Sequence, residues 1–246
     1  YYSTANYNYI GGYLRNYAFL EFLPDLTQIF NDSSDNASLI CNETTHNPVK
    51  LNLPDYNFIN TPESDDIEPL YKFPKIEIRN HYHVMISSLM ALGKWFDYMR
   101  VNGVYDNTRI IIVSDHGRTN NVGTNGLHYW DYMEIKNPKM DVTTCNPLML
   151  FKDFNATEFS VSNEFMTNAD VPTFALNGLV DKPINPFTGK EINTSEKYAH
   201  PQLITSSHKY AVQDFLDKTT FANDDESHWY SVHDDIFNEE NWELVK

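Results

Sequence analysis

The clearest pattern along the chain is an apolar stripe at helical spacing between residues 81 and 101. Alternating steps of four and three residues place the stripe on one face of a helix. Gly103 follows as a natural stop. We therefore predict a helix over 81–101 that packs on a sheet, with Trp95 and the stripe in the core. The stripe consists of Met85, Leu89, Leu92, Phe96 and Met99.

Short runs that are apolar at every position indicate strands that are buried on both faces. Residues 109–113 and 146–152 are the strongest such runs, and 38–41 is a further candidate. Because these runs alternate with helical patterns, they predict an α/β fold. We expect a mixed, mostly parallel sheet sandwiched between helices, in which 109–113 and 146–152 are neighbouring interior strands.

The rest of the pattern predicts shorter elements around this core. Residues 13–31 are apolar-rich and interrupted by Pro24, which predicts a helix with a break. Residues 42–69 are polar and contain several prolines, which predicts a long irregular excursion. Asp170 stands at a helix start, where a cap is favoured over a metal ligand. Residues 228–233 form an aromatic, strand-like piece.

Each candidate strand is followed by polar residues. In open α/β sheets, ligands bind at the carboxyl ends of the strands. His46 follows the run at 38–41, and Asp115 and His116 follow the second run. Asp153 follows the third run. The pattern therefore predicts that these side chains gather at one edge of the sheet.

The tripeptide Asp115-His116-Gly117 offers a hard oxygen and a nitrogen ligand, a set that suits Zn²⁺, Mn²⁺ or a similar divalent ion. Neighbouring residues of an extended strand point to opposite sides, so the chain must bend to aim both at one ion. Gly117 permits such a bend. Two other interpretations stay open, a histidine general base oriented by the aspartate and a plain turn capped by the aspartate side chain.

Four segments together resemble the alkaline phosphatase/sulfatase superfamily. More narrowly, they look like its lipoteichoic acid synthase and phosphoglycerol transferase branch of bacterial sulfatase-like membrane proteins. The helix, turn, strand and motif of "ALGKWFDYMRVNGVYDNTRIIIVSDHG" (91–117) carry most of this resemblance. The other segments are "TTHNP" (44–48), "NPLMLFK" (146–152) and "NADVPTFALNGLV…NPFTGK" (168–190).

The resemblance implies site residues by their positions in the motifs. Asp115 and His116 would bind one divalent metal ion, either Mn, Mg, Zn or Ca. His46, in a His-x-Pro element, would contact the phosphate of the substrate, where a donating imidazole stabilises developing charge. Independently of the resemblance, the Gly- and Asn-rich loop after the motif is placed to fold over the site and bring Arg118 or His128 to an anionic substrate, since arginine suits phosphate through its planar fork.

The implied function is metal-dependent transfer or hydrolysis of a phosphate or sulfate ester, carried by a lipid or a glycan, on the extracellular face of a bacterial membrane. The family's nucleophile and a further acidic ligand lie upstream, and we find no counterpart of either. We therefore expect residues 1–246 to be one domain, the C-terminal part of the catalytic domain of a membrane-anchored protein. Such a part would be inactive alone and would bind metal weakly or not at all. The alternative is a non-catalytic surface module that keeps the fold and has lost the site.

Composition limits the partners of this chain. A formal net charge of −16 over 246 residues argues against a nucleic-acid or anionic-membrane surface. Cys41 and Cys145 are too few for a disulfide scaffold, and two unpaired, buried thiols are favoured over one disulfide. The C-terminal cluster around His233 and Asp234 offers metal ligands, but aromatic packing with a solvated acidic end is favoured.

Overall fold

Two compact units, 1–108 and 109–246, divide the chain. The computed structural model contains helices and small antiparallel sheets, so the predicted mixture of α and β is confirmed. The single domain over 1–246 stays a prediction. None of the helices in the described residues is long and apolar enough to cross a membrane. The structure describes residues 4–30, 35–58, 76–117, 134–136, 139–206 and 228–245.

The first unit is built on two helices that pack against each other, α1 (Thr4–Glu21) and α3 (Ile76–Val101). The short α2 (Leu23–Leu26) follows α1 after a break at Phe22, with Pro24 in its first turn, as predicted. The long helix predicted over 81–101 is confirmed and starts earlier, at Ile76. Its main packing partner in this unit is the helix α1, where a sheet was predicted. Between α2 and α3 come a 3₁₀ turn (Thr44–His46) and the hairpin strands β1 (Leu51–Asn52) and β2 (Asn57–Phe58).

The face that α3 buries most deeply is offset from the predicted apolar stripe. Of the stripe, Met99 is buried and the others are half-buried. Small side chains on the buried face let α1 approach. The hydroxyls of Ser87 and Ser88 donate to the Val84 carbonyl, at 2.9 and 2.8 Å. Tyr13 of α1 packs there, and burial raises the pKa of its hydroxyl. The small residues of this face are Val84, Ser87, Ser88 and Ala91.

The second unit contains an antiparallel ribbon of β3 (Ile110–Val113) and β6 (Met149–Lys152). The two apolar runs are therefore neighbouring strands, as predicted. The prediction that they are interior strands is wrong for the described residues, where each pairs only with the other and none of their side chains is fully buried. Every strand pairing in the described residues is antiparallel, so these pairings do not form the mostly parallel sheet that was predicted. A run that is apolar at every position carries no information about strand direction, which depends on the connection. Antiparallel pairing places Asp153 at the opposite end of the ribbon from Asp115, so the prediction that they share one edge is wrong.

The second unit contains a small core of Val142 and Tyr230, against which Cys145, Ile204, Ile236 and Trp242 pack. A hairpin and a three-stranded antiparallel sheet supply the other strands, and the aromatic strand predicted at 228–233 is confirmed. The strands are β4 (Glu134–Lys136), β5 (Lys139–Asp141), β7 (Gln202–Ser206), β8 (His228–Val232) and β9 (Trp242–Leu244), and the helices are α4 (Val171–Leu176) and α5 (Glu196–Ala199).

The strand predicted at 38–41 is wrong. Residues 35–43 form neither helix nor strand, and Leu39 is 99% exposed. A run of four residues gains little from its apolar character when no neighbouring strand pairs with it. Cys41 is exposed in this segment, so the prediction of two buried thiols is wrong for it. Cys41 and Cys145 are both free, as favoured over a disulfide.

At its opposite end, the ribbon is fixed to α4 by Arg109, whose side chain is only 9% exposed. Its Nε and Nη2 donate to Asp153 Oδ1 at 2.9 and 2.8 Å. Its Nη1 donates to the carbonyls of Ala175 and Asn177 at 3.0 and 2.8 Å. The guanidinium lies 4.6 Å from the ring centre of Phe154. Asp153 therefore has a structural partner at its own end of the ribbon.

Folding stability should depend on pH through Asp153, because its hydrogen bonds from Arg109 hold the pKa of that carboxyl below its ordinary value. A carboxyl whose pKa is lower in the folded chain stabilises the fold above its unfolded pKa of about 4, and this contribution is lost as the pH falls through the folded value. We expect Asp153→Asn to lower the urea midpoint near neutral pH and to lose this effect progressively as the pH falls from about 4 through the lower pKa of the folded chain. The exposed Asp181→Asn serves as the control. A deficit of Asp153→Asn that stayed constant down to low pH would contradict the prediction.

Candidate metal-binding site

β3 ends at Val113, and the chain bends at Asp115, one residue beyond Ser114. The Ser114 N–H donates to the Leu148 carbonyl at 3.0 Å, which continues the antiparallel ladder. The return bond differs from a regular ladder, because the Leu148 N–H donates to the Ser114 hydroxyl oxygen at 2.7 Å. A side-chain oxygen thus replaces the backbone acceptor, and the Ser114 carbonyl turns away from the ladder.

Asn168 holds the outer side of this bend. Its Nδ2 donates to the carbonyls of Ser114 and Asp115, at 3.0 and 3.2 Å. Asn168 begins a 3₁₀ turn (Asn168–Asp170) directly before α4. Two carbonyls that the strand no longer uses therefore have a donor, as the backbone of a stable turn requires.

The bend brings the side chains of the motif together. Asp115 Oδ2 lies 3.5 Å from His116 Nε2, while Asp115 Oδ1 accepts the His116 N–H at 3.0 Å. His116 Nδ1 contacts the Gly117 carbonyl, which can only accept a hydrogen bond, so Nδ1 is the donor in this contact and Nε2 is the nitrogen that faces the carboxylate. Both side chains are exposed, 87% for Asp115 and 66% for His116. The capped turn and a paired set of ligands are thus compatible, because they use different oxygens.

The geometry of this pair fits one divalent ion. Two ligands bound at about 2.1 Å to a tetrahedral ion lie about 3.4 Å apart, close to the 3.5 Å between Asp115 Oδ2 and His116 Nε2. A metal-bound histidine usually donates its other N–H to a carbonyl or carboxylate, and the Gly117 carbonyl is in that position. Among the described residues, no group of three or more His, Cys, Asp or Glu side chains surrounds such an ion.

A buried ion pair lies beneath the turn that carries Asn168. Asp170 Oδ2 accepts the Thr167 N–H at 2.8 Å and lies 2.8 Å from Lys197 Nζ on α5. The two charged side chains are 3% and 7% exposed. Asp170 stands at the start of α4, as predicted, but its side chain caps no N–H of α4 and instead accepts the N–H of Thr167, which caps the preceding 3₁₀ turn. The ion pair adds a tertiary role.

The other predicted site residues are His46, Arg118 and His128. His46 is exposed in the first unit, with Nδ1 3.0 Å from Asn47 Oδ1. Since 38–41 is not a strand, the topological reason for bringing His46 to the motif is wrong, and its contact with phosphate stays a prediction. Arg118 and His128 lie outside the described residues, so their substrate contacts also stay predictions.

A second adjacent pair, His233 and Asp234, differs from the motif in its hydrogen bonding. Here His233 Nδ1 lies 2.8 Å from Asp234 Oδ2, so the partner of the Nδ1 atom is a carboxylate and not a backbone carbonyl as at His116. Behind the pair, the Tyr230 and Trp242 rings pack edge to face at 6.3 Å, which agrees with the aromatic packing favoured for this region. The pair therefore offers a matched control for the motif.

Ser114 and Asn168 are site residues that were not predicted from the sequence. A signal exists for the second, because Thr167 and Asp170 have the spacing of a helix-capping box. That spacing predicts a fixed turn around Asn168, but no local pattern connects this turn to a strand more than fifty residues earlier.

No protein-family model, curated protein or solved structure matches the chain at a significant level. The resemblance to sulfatase-like enzymes therefore rests on the four segments at 44–48, 91–117, 146–152 and 168–190.

Proposed function

We propose that this chain supplies the Asp115 and His116 metal ligands of a phosphoester or sulfate-ester transferase or hydrolase of the sulfatase-like type. The observation that supports the proposal is the 3.5 Å separation of Asp115 Oδ2 and His116 Nε2, with His116 Nδ1 held by a backbone carbonyl. A divalent ion at this pair supplies Lewis-acid chemistry, neutralising ester oxygens and activating a hydroxyl nucleophile.

The residues of the motif have separate roles in this proposal. Asp115 contributes negative charge and one oxygen. His116 contributes a neutral nitrogen lone pair, so it binds only when unprotonated. Gly117 fixes the ring through its carbonyl. The exposure of both ligands leaves space for an anionic ester, which His46, Arg118 and His128 are proposed to contact.

The finer parts of the proposal concern the fold and the setting of the whole protein. The ribbon of β3 and β6 would belong to a mostly parallel sheet between helices, in a protein on the extracellular face of a bacterial membrane. The nucleophile and a further acidic ligand would come from a part of that protein other than residues 1–246. The substrate would be an ester on a lipid or a glycan, and the net charge of −16 disfavours nucleic acid.

A non-catalytic surface module is the second candidate. One observation favours it, the presence of only two adjacent ligands at the motif, with no larger group of metal-binding side chains among the described residues. The two candidates differ in whether the pair at Asp115 and His116 binds a divalent ion selectively.

A Mn²⁺ titration of the 246-residue chain, followed by NMR of the histidine rings, tests the proposed site. We expect weak binding that broadens the His116 signals first, because Mn²⁺ is paramagnetic. Asp115→Asn and His116→Gln should each weaken binding at the motif at least about tenfold. The matched control, His233→Gln, removes the other His–Asp pair and should leave binding at the motif unchanged. Equal effects of His116→Gln and His233→Gln on Mn²⁺ affinity would contradict the proposal.

A further inference from the structure

We propose that Ser114 and Asn168 are positioning residues that turn the end of β3 and thereby place Asp115 and His116 on one side of the chain. The metal at this pair rests on the proposed function. The geometric part of the proposal concerns the chain alone and can be tested without metal.

Ser114 ends the strand by competing with its own backbone. Val113 pairs with Met149, so the next pair, Ser114 and Leu148, would exchange two backbone hydrogen bonds in a regular ladder. One of these bonds is present, and the other is taken by the Ser114 hydroxyl at 2.7 Å. Without the hydroxyl, the Leu148 N–H would bond to the Ser114 carbonyl and the extended strand would continue. Successive side chains would then alternate between opposite faces, which would separate Asp115 from His116.

Asn168 stabilises the bent form and not the extended one. One amide nitrogen donates to two successive carbonyls, those of Ser114 and Asp115. These carbonyls come within reach of one donor only because the chain turns between them. Replacing the amide with a carboxylate of the same shape would put oxygen against two carbonyl oxygens, which repels the bent form.

The turn that carries Asn168 is itself held in place by a buried ion pair. The Thr167 N–H is held by Asp170, and Asp170 is held by Lys197 in a buried ion pair. The exposed ligand pair is thus oriented by a bend whose support is buried. Metal sites need this kind of support, because the residues that orient the ligands raise metal affinity by about tenfold or more.

The test compares Ser114→Ala and Asn168→Asp with two matched variants. Ser114→Thr keeps the hydroxyl and should behave as the wild type. Asn241→Asp removes a comparable amide, whose Nδ2 donates to the Asp235 carbonyl at 2.9 Å near the other His–Asp pair. In metal-free protein we expect nuclear Overhauser contacts between the Asp115 β protons and the His116 ring in the wild type. Ser114→Ala and Asn168→Asp should lose these contacts, while Ser114→Thr and Asn241→Asp keep them.

The Mn²⁺ titration is the second measurement. Ser114→Ala and Asn168→Asp should weaken Mn²⁺ binding at His116 by about tenfold, with thermal midpoints no lower than that of Asn241→Asp. Retained Asp115–His116 contacts in Ser114→Ala and Asn168→Asp would overturn the positioning proposal, whatever Mn²⁺ does. Lost contacts in these variants, together with no Mn²⁺ effect in the wild type, would support the positioning role and leave the metal site of the proposed function without support.

Discussion

Replacing Lys197 with methionine should lower the free energy of unfolding by about 3–5 kcal/mol, because it leaves the Asp170 carboxylate buried without its counter-ion. Lys197 Nζ lies 2.8 Å from Asp170 Oδ2, and the two side chains are only 7% and 3% exposed. The remaining donor to that oxygen, the Thr167 N–H, satisfies part of the lost interaction. Chemical denaturation followed by circular dichroism measures the change.

Two further variants make this prediction specific to the buried charge. The double variant Asp170→Asn with Lys197→Met removes both charges and keeps an acceptor for Thr167, so it should be more stable than Lys197→Met alone. Lys94→Met breaks the exposed ion pair with Glu21, which should cost no more than about 1 kcal/mol. Equal losses for Lys94→Met and Lys197→Met would show that burial does not govern this pair.

Under the proposed function, Asp115→Ala or His116→Ala in the intact protein should remove a bound divalent ion and lower turnover of a phosphate or sulfate ester by at least about a hundredfold. The physical reason is that each change deletes one ligand, so the ion and the catalysis that depends on it are lost together. Metal content by mass spectrometry and hydrolysis of an aryl phosphodiester and an aryl sulfate give the two readouts.

A different outcome is expected for His46. A group that contacts the transferring phosphate but does not bind the ion should affect turnover alone, so His46→Ala should lower activity with unchanged metal content. His233→Ala should change neither quantity. Bound metal without activity on either ester class would favour the non-catalytic module. Full activity in His116→Ala would contradict the assignment of the motif.

The sequence by itself predicted the elements whose signals are local. Helical spacing predicted the helix that became α3, and Pro24 predicted the break after α1. Apolar runs predicted β3 and β6 as strands, although their side chains are half-buried or exposed in the ribbon and not buried on both faces. The motif at Asp115 and His116 was also recognisable, since it combines a strand end, two ligand types and a glycine in consecutive positions.

Only the tertiary structure decided which groups meet across the chain. Local periodicity reports that a position is buried but not which element covers it, so the direction of the β3–β6 pair and the buried face of α3 were not predictable. The bend after β3 was not predictable for the same reason. The hydrogen bonds from Leu148 and Asn168 to Ser114 join residues that are 34 and 54 positions apart. The orientation of the candidate ligands therefore depends on long-range hydrogen bonds, whereas the residues themselves could be recognised from one short stretch of sequence.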